Sequence, residues 1–112
     1  MNNLFNIDLQ AFHPGIEDWW IKLIEMLQNN WAVIVPNPKH GADIIFVSDG
    51  SGIFDRISYG SKEEAEAALL RNGFSRYYGE ADIMKFIPYP RKPYTFWSHP
   101  NGRIYCTEKY WC

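Results

Sequence analysis

The sequence predicts a single α+β domain over residues 1–112, an antiparallel sheet of about five strands with two helices packed on one face. Three observations lead there. Residues 53–74, IFDRISYGSKEEAEAALLRNGF, run from a strand into a helix with both ends marked. WAVIV at 31–35 is a continuous β-rich run, the pattern of a strand buried on both faces. Two tight hairpins, one before the marked helix and one in the tail, imply mostly antiparallel pairing.

The marked helix spans 61–72. Ser61 and Glu64 form an S-x-x-E capping box. Ala65, Ala68 and Leu69 supply a narrow apolar stripe. Gly73 suits the left-handed position after the last turn, and Phe74 can fold back onto it.

Taken in order, residues 1–13 form an arm anchored by Leu4, Phe5, Ile7, Leu9 and Phe12, with a short edge strand allowed at 4–9. After Pro14 and Gly15 the apolar spacing of Ile16, Trp20, Leu23, Ile24 and Leu27 predicts a helix over 16–29. Glu17 and Asp18 suit its first turn and the Asn29–Asn30 pair its end. Strands follow at 31–35, 43–47 and 53–59, the last two joined by the loop 48–52. Residues 75–79 extend toward another strand, and 81–87 fit a helical turn or a strand equally. Pro88, Pro90 and Pro93 make an extended connector, PYPRKP. Strands at 94–98 and 103–107 then flank the turn His99-Pro100-Asn101-Gly102.

Hydrophobic residues make up 46% of the chain and aromatic residues 17%, a composition that excludes general disorder. A net charge of −2 does not describe a general nucleic-acid or membrane binder. The charge is polarised, however. Residues 1–70 carry four Lys/Arg against ten Asp/Glu, and residues 71–112 carry seven against three. The start of the chain lacks the pattern of a secretory signal, and its apolar runs fall short of the ~20 residues of a membrane span. A cytoplasmic location is therefore expected, with Cys106 and Cys112 as two free thiols in a reducing compartment or as a bridged pair on oxidation.

No catalytic, metal or cofactor site is expected. Asp49-Gly50-Ser51-Gly52 joins two strands and lacks phosphate-loop spacing. His99, Cys106, Glu108 and Cys112 fall within fourteen residues but without ligand spacing, and the hairpin separates His99 from Cys106. Cys106 or Cys112 with His13, His40 or His99 would be needed for a thiol enzyme or small hydrolase, and no nucleophile signature surrounds them.

The strongest functional signal is in the tail. From Phe74 onward, eleven aromatic residues are interleaved with six Lys/Arg. Tyr, Trp and Arg are the residues that anchor protein interfaces. The expectation is a non-catalytic protein-binding module, such as a small bacterial or phage inhibitor, immunity or adaptor protein. Its partner-binding face would comprise Tyr89, Arg91, Lys92, Tyr94, Trp97, Arg103 and Tyr105. The alternative partner is single-stranded nucleic acid, with bases stacked on the same rings and phosphates on the same cations. An exposed edge strand would also permit a homodimer.

Overall fold

Apolar runs on both sides of short polar turns dictate the core of the structure, a computed structural model that describes residues 7–9, 11–14, 18–25, 28–77 and 87–96. Strands β1 (Trp19–Glu25), β2 (Gln28–Asn37), β3 (Gly41–Ser48) and β4 (Gly52–Tyr59) form an antiparallel meander. Helix α1 (Lys62–Arg71) then crosses one face and delivers β5 (Ser75–Arg76) antiparallel to β1. Strand β6 (Thr95–Phe96) lies parallel to the start of β4. The result is a mixed six-stranded sheet in the order β5-β1-β2-β3-β4-β6.

Register explains the core. Successive side chains of a strand point to opposite faces, so Ile34, Ile44 and Ile57 line up across three strands on one face. That face collects Trp20, Ala32, Phe46 and Phe54 beneath Ala65, Leu69 and Phe74 of the helical segment. The other face carries Trp19, Ile21, Trp31, Val33, Ile45, Val47 and Ile53. Phe12, Tyr77 and Tyr94, which lie in segments without helix, close over it. Rings meet edge-on there, Phe12 with Tyr94 at 4.9 Å and Trp31 with Tyr77 at 5.1 Å between centroids. Such pairs add about 0.5–1.5 kcal/mol beyond their burial.

Both ends of α1 form as their residues require. The Ser61 hydroxyl accepts from the Glu64 backbone N–H at 3.1 Å. At the other end Gly73 has φ +87°, Phe74 N–H donates to Leu69 C=O at 2.9 Å, and Gly73 N–H donates to Leu70 C=O at 3.2 Å. Those two bonds are the Schellman pattern, and they aim the Phe74 ring into the core.

The expected helix over 16–29 does not form. Within the described part of that span the chain is β1, a hairpin neighbour of β2, and Asn29 and Asn30 lie inside β2 rather than ending a helix. Trp19 and Ile21 enter one core layer and Trp20 the other. A strand buried on both faces shows no polar alternation, so its apolar residues can mimic a helical stripe. Aromatic and β-branched residues favour the strand once a partner pairs with it. Among the described residues there is one helix, and the second face is covered by irregular aromatic segments instead. The sheet also has six strands where about five were expected, and it includes a parallel pair, β4 with β6, where the tail hairpin implied antiparallel pairing. The remainder of the tail hairpin, its turn at 99–102 and the ambiguous stretch 81–86 lie outside the described residues.

Candidate functional site

The proline connector has few ladder partners for its backbone, and side-chain hydroxyls take their place. Tyr77 Oη donates to Ile87 C=O at 2.6 Å, Tyr94 Oη to Pro90 C=O at 3.0 Å and Ser51 Oγ to Arg91 C=O at 2.6 Å. Ser51, at φ +67°, also accepts the Thr95 N–H on its carbonyl at 3.0 Å, which starts β6. Burial pushes the phenols of Tyr77 and Tyr94 above the ordinary value of 10.0, so both remain protonated donors.

This pinning decides how the expected binding residues are presented. Tyr94 is buried against Phe12. Tyr89 is half-buried, with Trp19 and Tyr77 each at 6.0 Å between centroids. Arg91 is exposed and lies over the Tyr89 ring at 4.8 Å. Lys92, also exposed, contacts the His13 ring across the chain. Tyr89, Arg91, Lys92 and Tyr94 are thus brought together on one side of the sheet. Trp97, Arg103 and Tyr105 lie outside the described residues, as do His99, Cys106 and Cys112.

His13 connects this ridge to a groove of about 830 Å³ between the N-terminal arm and the β2–β3 turn. Ile7, Phe12, Pro36 and Pro38 contribute apolar wall. Its ionised groups are Asp8, Asp18, Asp43, Lys39 and Arg56, and His13 and His40 sit among them.

Asp43 organises the turn side of the groove. Its Oδ2 accepts from Asn37 Nδ2 at 2.9 Å, and its Oδ1 faces His40 Nε2 at 2.8 Å. Burial pushes the Asp43 carboxyl up, but hydrogen bonds from Asn37, His40 and Ser58, with the His40 charge, outweigh it. The net effect holds the group below its ordinary 3.8. Asn37 Oδ1 in turn accepts the Lys39 backbone N–H at 2.9 Å. Gly41, at φ +115°, closes the turn against the backbone of Gly60.

Arg56 comes from the middle of β4. The pairings Trp19–Val33, Val33–Ile45 and Ile45–Arg56 set it at the end of an otherwise apolar row. Its Nε is shut off from solvent with no hydrogen-bond partner among the described residues. No ion pair joins its guanidinium to any of them either. Asp43 is near in the sheet, one row away, but its oxygens serve the turn.

Of the groove residues, the sequence draws attention to His13 and His40 as formal partners of a thiol and to Ile7 and Phe12 as anchors of the arm, but not to Asp43 or Arg56. One signal was present: Asp55 and Arg56 interrupt an apolar strand, and adjacent strand residues address opposite faces. The chain matches no family model, no curated protein and no solved structure. No helix among the described residues is long and apolar enough to cross a membrane.

Proposed function

We propose that this chain is a non-catalytic protein-binding module, and that its face is the Arg91–Lys92 ridge together with the groove that it borders. The observation that carries this reading is how the rings and cations are divided. Tyr94 is buried and one side of Tyr89 is covered by Arg91, so among the described residues these rings serve as supports, not as open platforms for bases. Arg91, over Tyr89, and Lys92, against the His13 ring, are both exposed and each is held by that contact. Beside them the groove mixes three carboxylates with Lys39 and Arg56. A mixed lining disfavours a polyanion and suits the varied surface of another protein.

Capture on the tagged full-length chain from a lysate, with and without nuclease, tests the reading. A single stoichiometric protein should survive nuclease, and Arg91→Ala/Lys92→Ala should weaken its retention about tenfold or more. Recovery that disappears with nuclease would give first place to single-stranded nucleic acid. Retention unchanged by the double substitution would remove the ridge from the face.

A further inference from the structure

We infer that the groove receives an acidic side chain of a partner protein, an Asp or Glu carboxylate, with Arg56 as its anchor. The inference rests on the protein-binding reading and deepens it by naming the chemistry of the contact.

A guanidinium is usually hydrated or paired, and removing it from water without a partner is unfavourable. Arg56 meets that condition at one atom: the side chain is half-buried and its Nε alone is closed off without a partner among the described residues. It lines the groove, its Nε is closed to solvent without a hydrogen bond, and no described carboxylate pairs with it. Its nearest acidic neighbour on that face of the sheet, Asp43, is engaged by Asn37, His40 and Ser58. The planar fork of Arg matches a carboxylate with two parallel hydrogen bonds.

The surroundings select the class of anion. Asp8, Asp18 and Asp43 outnumber Lys39 and Arg56 along the groove, so a chain of phosphates would meet repulsion on entry. A single carboxylate needs only the one guanidinium. The apolar wall of Ile7, Phe12 and the prolines can cover the aliphatic part of the same side chain.

The test follows the Arg56 Nε–H signal of the full-length protein by NMR, assigned from its loss in Arg56→Lys. The probes are the capped tripeptide Ala-Glu-Ala, its Ala-Gln-Ala counterpart and inorganic phosphate. The Glu peptide should shift the signal saturably in the millimolar range, and the Gln peptide should leave it unmoved. Equal effects of the two peptides, or a response to phosphate at lower concentration, would overturn the inference. A selection from a random-peptide display library on the whole chain separates it from the underlying reading. Wild-type protein should enrich peptides with a recurrent Asp or Glu, and Arg56→Gln should weaken the best of them roughly 10- to 100-fold. Arg56→Lys, which keeps the charge but not the fork, should recover only part of that affinity. Enrichment of peptides without an acidic position would refute the anchor and leave the module standing. No enrichment by the wild type would refute both.

Discussion

Asp49→Ala should destabilise the fold by about 2–3 kcal/mol, although Asp49 is exposed in the turn between β3 and β4. Its Oδ1 accepts from Trp31 Nε1 at 2.7 Å and Asn29 Nδ2 at 3.2 Å, while Oδ2 accepts the Asn29 backbone N–H at 3.1 Å. The Trp31 ring is buried but this bond is only partly so, and truncating Asp49 leaves the indole N–H without its acceptor, a loss of about 1–2 kcal/mol. The two Asn29 bonds are exposed and add about 0.5 kcal/mol each. For a chain of this size that sum lowers Tm by roughly 10 °C. The informative assay is a double-mutant cycle with Trp31→Phe, using urea unfolding followed by far-UV circular dichroism. In the Trp31→Phe background there is no indole N–H to strand, so Asp49→Ala should cost only about 1 kcal/mol. The coupling energy should then be about 1–2 kcal/mol. Coupling near zero would refute the reasoning and place the role of Asp49 in the turn itself.

Gly41→Ala should cost about 2–4 kcal/mol in the same unfolding assay, since a Cβ there would lie 2.1 Å from the Gly60 carbonyl oxygen and φ is +115°. An unchanged midpoint would mean that the turn and the helix start do not need this close approach. Asp43 has its carboxyl held below the ordinary 3.8, so its contribution is fully present above that value and disappears as pH falls through the folded-state pKa. The stability difference between wild type and Asp43→Asn should therefore shrink as pH falls below about 4; a difference that stayed constant would contradict the hydrogen-bonded account of the turn.

Local signals were the legible part of this fold. Ser61, Gly73 and Phe74 specify the ends of α1 by contacts within a few residues, and the helix appears at 62–71. The strands expected at 31–35, 43–47 and 53–59 appear with longer ends, at 28–37, 41–48 and 52–59. Residues 19–25 read as helix in the sequence because WWIKLIE satisfies a helical stripe and a doubly buried strand alike, and only pairing with β2 decides between them. The tyrosines of the tail stand out in the sequence, but the burial of Tyr77 and Tyr94 does not, because a ring in an extended connector has no period to reveal its direction. The groove was illegible for a related reason. Its walls come from the arm, from the β2–β3 turn and from β4, joined by register pairs such as Ile45–Arg56. Arg56 acquires its meaning only when Asp43, thirteen positions earlier, is seen to be engaged elsewhere.

The affinity of the nuclease-resistant partner, measured by calorimetry at about 50 and about 200 mM salt, tests the central claim most directly. A protein interface anchored by a few partly desolvated contacts should lose only a few-fold in affinity across that range. A loss linear in log salt with a slope steeper than about −2, as counterion release from several phosphates would give, would contradict the account.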